Sequence, residues 1–189
     1  MSSRLSITLN ARLRPMDRGD VYEDPLQEVL DARCPGSEID GGGTLMSATG
    51  EVSFCDLDVE LAGDPDEGMA VVIETLESLG APKGSTADLD DRETVVFGRF
   101  DGLAVYLDGT GLPAEVYADN DINELIGQLH ESLGDAGRMQ SYWSGPTELA
   151  LYFYGPSEQR MRELAADVLR VHPLARGCRL LALPDRIQD

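Results

Sequence analysis

The feature that most constrains the fold is an internal repeat. The stretch "DVYEDPLQEVL" (residues 20–30) recurs about 95 residues later as "EVYADNDINELI" (residues 115–126). In front of each stretch lies a segment in which apolar and polar residues alternate, "ITLNARLRP" and "LAVYLDGTGLP". This alternation is the pattern of a half-buried strand. A pattern repeated over consecutive segments predicts two copies of one structural unit.

The segments downstream of the repeat complete each copy. Residues 41–69 and 136–161 both contain two strand-like segments followed by the start of a helix, and each copy ends in a glycine-preceded segment, "GSTADL" or "GCRLLAL". The four predicted helices carry apolar residues at helical spacing. These residues are Leu26, Val29 and Leu30; Met69, Val72, Ile73 and Leu76; Ile122, Leu125, Ile126, Leu129 and Leu133; and Met161, Leu164, Ala165 and Val168. The element order in each copy is therefore β-α-β-β-α-β.

Capping residues mark the points where these helices are expected to begin. Short polar side chains at a helix start accept hydrogen bonds from its unpaired N–H groups. The predicted caps, in chain order, are Asp24, Asp64, Asp121 and Ser157. Alignment of the two copies then pairs Val21 with Val116 and Met69 with Met161.

This element order predicts an α+β protein that resembles two tandem ferredoxin-like units, each an antiparallel sheet covered on one face by two helices. We place the units at residues 1–90 and 91–189, joined within "DLDDRE" (residues 88–93). We expect them to pack as a pseudo-twofold pair. The run "ETVVFGRFDG" (residues 93–102) is assigned to the second unit, with Asp101 and Gly102 as a hairpin turn.

The whole chain also resembles a group of uncharacterised bacterial proteins. The resemblance lies in stretches such as "ITLNARLRP", "EDPL", "APKG", "GLAVYLDGTGLP" and the segment "SYWSGPTELALYFYG". It implies the same fold boundaries. Because no activity is established for that group, it implies no site residue.

The charge of the chain limits the partners it can bind. It has 35 acidic and 15 basic side chains, a net charge of −20, and Lys83 is its only lysine. Such a surface repels nucleic-acid phosphates and anionic lipid, and it favours encounter with a basic protein. A GC-rich or halophilic genome produces the same composition without any partner, and that alternative stays open.

The sequence offers no motif for a catalytic, metal or cofactor site. Cys34, Cys55 and Cys178 are far apart, and neither His130 nor His172 has a second ligand at metal-binding spacing. No P-loop, G-x-S-x-G or H-E-x-x-H motif occurs. The N-terminal segment alternates instead of forming an apolar run, and no segment is long enough to span a membrane. We therefore expect a cytoplasmic protein without a cofactor.

The strongest candidate site in the first copy is a row of carboxylates in "SFCDLDVEL". Asp56, Asp58 and Glu60, together with Phe54, lie on one side of the predicted strand because alternate strand residues share a face. The other side, Ser53, Cys55, Leu57, Val59 and Leu61, is expected to lie under the helices. The row is consistent with a partner-binding stripe, a divalent-cation site, a general acid, or a solvated strand face.

The candidate site in the second copy contains aromatic residues. We assign Ala150, Tyr152 and Tyr154 to the helix side of the matching strand, and Leu149, Leu151 and Phe153 to its outer side. An apolar outer face needs a cover. Trp143, the only tryptophan, is expected at a hairpin tip, and Tyr106 and Asp108 share one side of their strand. We predict these three residues, with the acidic row, as partner contacts.

Two functions of different class fit these observations. The first is a non-enzymatic acidic binding protein, of the immunity type, that neutralises a basic toxin by direct contact, as a monomer or a homodimer. The second is a small-ligand-binding protein or enzyme of the dimeric α+β-barrel type, with its site between the two sheets. A pocket with converging polar groups favours the second function, and an exposed acidic or aromatic patch favours the first.

Overall fold

The chain divides into two units between Phe100 and Asp101, later than the boundary predicted at residues 90 and 91. The computed structural model describes residues 2–90 and 92–185, so Asp91 at the predicted boundary lies outside the described residues. The first unit is Met1–Phe100 together with Pro184–Asp189, and the second is Asp101–Leu183. Each unit contains its own antiparallel sheet.

The first unit is a five-stranded sheet with helices on one face. Its strands are β1 (Ser3–Leu9), β2 (Glu38–Met46), β3 (Val52–Leu61), β4 (Ser85–Leu89) and β5 (Val95–Phe97). Its helices are α1 (Pro15–Arg18), α2 (Asp24–Arg33) and α3 (Pro65–Ser78), and the π-helical turn Gly19–Glu23 joins α1 to α2. The strand order is β2-β3-β1-β4-β5.

The second unit is a four-stranded sheet of the same design. Its strands are β6 (Asp101–Asp108), β7 (Arg138–Ser144), β8 (Glu148–Gly155) and β9 (Arg179–Ala182). Its helices are α4 (Ala114–Asp119), α5 (Ile122–Leu133) and α6 (Glu158–Val171), with short 3₁₀ turns at Gly134–Ala136 and Pro173–Ala175. The strand order is β7-β8-β6-β9.

The two sheets share one connectivity. When the strands of each unit are numbered separately, both sheets read 2-3-1-4, and the first sheet adds one edge strand after the fourth. This order with two crossing helices is the ferredoxin-like arrangement. The prediction of an α+β protein built from two tandem β-α-β-β-α-β units is confirmed.

Strand β5 belongs to the first sheet, although its sequence was assigned to the second copy. Val95 pairs with Ala87, and Phe97 pairs with Ser85. The chain then turns at Gly98, where φ is +101° and a Cβ atom would overlap the carbonyl of Pro82. The residues predicted as a hairpin turn, Asp101 and Gly102, are instead the first two residues of β6.

Each unit has an apolar core between its sheet and its helices. In the first unit, alternate residues of β1 and β3 are fully buried, as are residues of α2 and α3 that meet them; examples are Leu5, Ile7, Leu57, Val59, Leu26, Leu30, Val72 and Leu76. In the second unit the core cluster includes Leu103, Val105, Leu125, Leu129, Leu151, Phe153, Met161 and Ala165. The predicted helical stripes supply the helical half of these residues, and the strands supply the other half.

The assignment of faces in β8 was wrong. The residues of β8 that join the helix-side core are Leu149, Leu151 and Phe153. They oppose Leu107, Val105 and Leu103 of β6, whose side chains pack under α5 and α6. Tyr152 and Tyr154 lie on the opposite face and are also fully buried. Because both faces are buried, the hydrophobic alternation that normally identifies the core side is absent.

Three of the four predicted caps are confirmed. Asp64 accepts from the N–H groups of Asp66 and Glu67, and Asp121 and Ser157 cap α5 and α6. Asp24 caps nothing, because the chain before it is already helical. The caps also correct one predicted equivalence. Met161 lies four residues after its cap, Ser157, and the residue four positions after Asp64 is Gly68. Gly68, and not Met69, therefore corresponds to Met161.

The repeated stretches share the pattern V-Y-x-D, at residues 21–24 and 116–119, and this segment adopts different structures in the two units. In the first unit residues 15–33 form one helical run that includes the π-helical turn. In the second unit the helix breaks, because Asn120 and Asp121 have extended backbone angles between α4 and α5. Accordingly, Tyr22 is fully buried and donates to the carbonyl of Gly80, whereas Tyr117 is half-buried beside a loop.

Candidate functional site

The predicted acidic row does lie on the sheet face opposite the helices of the first unit. Asp56, Asp58 and Glu60 are half-buried, whereas the residues between them are fully buried. The edge strand β2 places Gly43 beside Asp56 and Gly41 beside Asp58. A Cβ atom on Gly41 would lie 3.3 Å from a carboxylate oxygen of Asp58, so the glycines leave room for the acidic side chains.

The central carboxylate of the row is held within the sheet. Asp58 forms an ion pair with Arg4 at 2.9 Å and accepts a 2.9 Å hydrogen bond from the hydroxyl of Ser6. The hydrogen bond from Arg4 lowers the pKa of Asp58, while partial burial opposes this shift. Among the described residues, Asp56 and Glu60 have no ion-pair partner. These two side chains therefore carry the uncompensated charge of the row.

The three predicted contact residues of the second unit lie on the sheet face opposite its helices. Trp143 of β7 pairs with Ala150, which pairs in turn with Tyr106 of β6. Tyr106 is buried, and the guanidinium of Arg179 lies 4.7 Å from the centre of its ring. Trp143 is half-buried inside the strand, with its ring over Gly145, so its predicted position in the hairpin loop is wrong.

Asp108 organises the loop that follows β6. One of its carboxylate oxygens accepts hydrogen bonds from the N–H groups of Thr110 at 2.9 Å and Gly111 at 2.5 Å. The hydroxyl of Tyr117 donates to the carbonyl of Asp108 and accepts from the N–H of Leu112, at 3.2 and 3.1 Å. The hydrogen bonds from Gly111 and Thr110 lower the pKa of Asp108. The loop is therefore fixed around an ionised carboxylate.

A groove of about 580 Å³ opens beside this loop, within the second unit. Asp108 and Gly109 line one side, and residues 117–122, where α4 ends and α5 begins, line the other. The break at Asn120 separates the two helices and so creates this second wall. The side-chain amide of Asn120 stabilises the break by donating to the carbonyl of Val116 at 2.8 Å.

The floor of the groove is apolar. It consists of Leu107, Ile122, Leu149 and Leu174. Leu107 and Leu149 are paired neighbours on β6 and β8, and Leu174 is placed by the 3₁₀ turn Pro173–Ala175. That turn is capped by the buried ring of His172, whose Nδ1 accepts the N–H of Leu174 at 3.3 Å. Strand pairing and a capped turn therefore fix the floor.

The rim of the groove is acidic. Its charged lining residues are Asp108, Asp119 and Asp121, and no Lys, Arg or His of the described residues lines it. Asp121 also caps α5: its side chain accepts from the N–H of Asn123, and its carbonyl accepts from the N–H groups of Glu124 and Leu125. Asp119 is exposed at the end of α4 and makes no hydrogen bond or ion pair with the described residues. The charged side chains that line the groove are therefore all negative.

A smaller cavity, about 270 Å³, lies on the other side of Asp108. It is lined by Tyr106, Asp108, Thr110, Gly111, Thr147, Glu148 and Gly177. Two predicted contact residues, Tyr106 and Asp108, thus meet at one cavity. Trp143 lines neither cavity.

Most of the larger groove was not identified from the sequence. Only Asp108 belongs both to the predicted site and to the lining. Tyr117 and Asp119 lie in the repeated stretch, where the pattern indicates only the repeat, and Asp121 is predicted there only as a helix cap. The useful signal was the extra length of "EVYADNDINELI", because an insertion between matching segments points to a local change of backbone.

The described part of the chain contains no cluster of metal ligands. Among residues 2–90 and 92–185, no three His, Cys, Asp or Glu side chains are grouped to hold a metal ion. In the same residues no helix has the length and apolar character needed to cross a membrane.

No protein-family model and no curated protein matches the chain. Solved structures with a similar trace include an unknown protein from Galdieria sulphuraria, 10% identical, covering 97% of this chain and 98% of that chain, with a TM-score of 0.32. The regulatory subunit of aspartate kinase from Thermus thermophilus is 11% identical, covering 90% and 93%, with a TM-score of 0.28. A mutant chlorite dismutase from Candidatus Nitrospira defluvii is 9% identical, covering 96% and 91%, with a TM-score of 0.31. At these TM-scores the similarities carry no argument about function.

Proposed function

We propose that the chain is a small-molecule-binding protein whose site is the groove between the β6 loop and the junction of α4 with α5. One observation carries the proposal: the groove has a volume of about 580 Å³, an apolar floor of four side chains and a polar rim. Small-molecule sites are typically 300–1,000 Å³ in volume, with an apolar lining and a few placed polar groups. This groove has both properties.

The walls of the groove are fixed before any ligand arrives. On one side Asp108 holds the loop through the N–H groups of Thr110 and Gly111, and on the other Asp121 caps α5. The hydroxyl of Tyr117 joins α4 to the loop. A site that is already ordered loses little conformational entropy on binding, which favours affinity for a small molecule.

A groove-filling variant tests the proposal. Ala118 lines the groove on α4, whereas Ala114 is an exposed residue of the same helix outside the lining. We expect Ala118→Trp to weaken the binding of neutral apolar fragments, such as 2-phenylethanol, by tenfold or more, and Ala114→Trp to leave it unchanged. The affinity is measured by titrating each fragment into the protein and recording the backbone amide chemical shifts at each concentration. Equal affinity in both variants, or no binding of any fragment at millimolar concentration, contradicts the proposal.

A second candidate function is supported by the acidic row. Asp56 and Glu60 face away from the helices of the first unit without an ion-pair partner among the described residues, as a surface for a basic protein requires. A more specific form of this hypothesis is that the chain is an immunity-type inhibitor and that the basic protein is a toxin. Its support is the charge and the placement of these carboxylates.

A cationic probe tests the second candidate. We expect Asp56→Asn combined with Glu60→Gln to slow the association of a ten-residue lysine peptide at low salt. The control is Asp135→Asn with Asp167→Asn, which removes the same charge at exposed positions of the second unit. If both double variants slow association equally, only net charge acts and the row is not a recognition surface.

A further inference from the structure

We infer that the ligand of the groove is an organic cation, a protonated amine attached to an apolar body. This inference rests on the proposed function and deepens it. The groove combines a floor of leucine and isoleucine side chains with a rim of three carboxylates, and no basic residue in the described part of the chain lines it. An acidic cluster on a convex surface would simply be solvated, but here the carboxylates border an apolar depression. A ligand that satisfies both parts must carry apolar surface and positive charge together.

The carboxylates at the rim have different tasks. One oxygen of Asp108 already accepts hydrogen bonds from Thr110, Gly111 and Tyr117. Asp108 therefore contributes negative charge to the wall while it holds the loop. Asp121 uses one side-chain oxygen for Asn123, and Asp119 is exposed with no partner among the described residues. Asp119 and Asp121 are the groups that can accept hydrogen bonds from an ammonium group at the groove mouth.

The start of α5 does not reverse this preference. A helix N-terminus attracts anions when its first N–H groups are free. Here the N–H groups of Asn123, Glu124 and Leu125 all donate to Asp121. The negative Asp121 side chain also offsets the positive end of the helix dipole. A carboxylate or phosphate ligand would therefore meet three like charges without a free donor from these residues.

Ligands matched in shape and different in charge test the inference. We propose to titrate the full chain with phenethylamine, 2-phenylethanol and 3-phenylpropanoate, and with hexylamine, hexan-1-ol and hexanoate, at pH 7 and low ionic strength. Both amines are protonated at this pH, since alkylamines titrate near pH 10. We expect each amine to bind at least about tenfold more tightly than its matching alcohol, and the carboxylates to bind most weakly. The preference of amine over alcohol should fall as salt is raised to about 0.3 M.

The outcomes separate this inference from the proposed function. If alcohols bind as tightly as amines, the groove is a ligand site but the cation preference is wrong. If the carboxylates bind most tightly, the preference is reversed and the inference is likewise overturned. If none of the six compounds binds, both the inference and the proposed function fall.

Paired variants locate the preference. Asp119→Asn with Asp121→Asn removes both charges, and the substituted residue at 121 remains a good helix cap because asparagine caps as well as aspartate. We expect this variant to lose most of the preference for amines over alcohols. Asp135→Asn with Asp167→Asn carries the same net charge and should keep the preference. If both variants lose the preference, net charge alone causes it and the inference is overturned. If the variant altered at Asp119 and Asp121 keeps the preference, the inference is also overturned.

Discussion

The carboxylate of Asp108 accepts the N–H of Gly111 at 2.5 Å, and a Cβ atom on Gly111 would overlap that carboxylate. The carboxylate of Asp108 therefore organises the loop beside the groove, and a side chain at residue 111 would have to displace that carboxylate. Because the N–H groups of Gly111 and Thr110 stabilise the charged form, the pKa of Asp108 is lower in the folded chain than in the unfolded one.

This pKa shift predicts a pH-dependent contribution to stability. A carboxyl group with a lowered folded pKa stabilises the fold above its unfolded pKa and loses that effect as the pH falls through the folded value. Asp108→Asn should therefore lower the urea midpoint at pH 7, and the difference from the parent chain should shrink below about pH 4. Urea titrations across this range measure it. A difference that is constant with pH would show that the charge of Asp108 does not hold the loop.

The two repeat tyrosines should respond differently to removal of their hydroxyl groups. Tyr22→Phe loses the buried hydrogen bond to the carbonyl of Gly80, and Tyr117→Phe loses the bridge between Leu112 and Asp108. Each change should lower the free energy of unfolding by about 1 kcal/mol. Only Tyr117→Phe should also weaken ligand binding in the groove, by several-fold. Equal ligand affinity in both variants would show that the hydroxyl of Tyr117 does not contribute to binding in the groove.

The three cysteines should differ in reactivity. Cys55 is fully buried, and burial raises its pKa to about 12, while Cys34 is also buried. Cys178 is only partly buried, with a pKa raised by that burial. Thiolates are the reactive species, so iodoacetamide at pH 8 should modify Cys178 first and Cys55 only after unfolding. Peptide mass spectrometry over time measures this order, and Cys178→Ser should remove the fast phase. Early labelling of Cys55 would contradict the packing of the first core.

The only tryptophan reports on the hairpin between β7 and β8. The ring of Trp143 lies where a side chain on Gly145 would project, so Gly145→Ala must displace it. We expect a red-shifted fluorescence emission and a loss of roughly 1 kcal/mol in stability. Gly127→Ala is the control, because nothing lies within 4 Å of that site on α5. It should stabilise the helix by up to about 1 kcal/mol and leave the emission unchanged. An unchanged spectrum in Gly145→Ala would place the ring elsewhere.

The fold could be predicted because its signals are periodic and occur twice. Residues such as Leu57 and Val59 alternate with polar neighbours, and Leu125 and Leu129 recur at helical spacing, so element types and order follow from the sequence. The helix-side face of β8 did not follow from the sequence. This strand is buried on both faces, and residues on the two faces, such as Leu151 and Tyr152, are both largely apolar. Local composition carries no information about which side meets the helices.

The groove could not be predicted because it arises from a difference between two similar sequences. The V-Y-x-D segment is continuous with its helix in the first unit and separated from it at Asn120 in the second. Leu174 reaches the floor through a turn about 50 residues along the chain from the helix break. Such proximity depends on tertiary packing. The acidic row could be predicted, since alternate strand positions share a face in any sheet, but its ion pair with Arg4 depends on strand register.

Mapping of a bound amine onto the chain tests the central claim most directly. Backbone amide resonances would be followed while phenethylamine is added to the isotope-labelled full chain. We predict concentration-dependent shifts at residues 107–109 and 117–122 and at Leu174, with no change at Asp56, Asp58 or Glu60. Shifts confined to the acidic row, or spread evenly over all exposed carboxylates, would contradict a binding site in the groove.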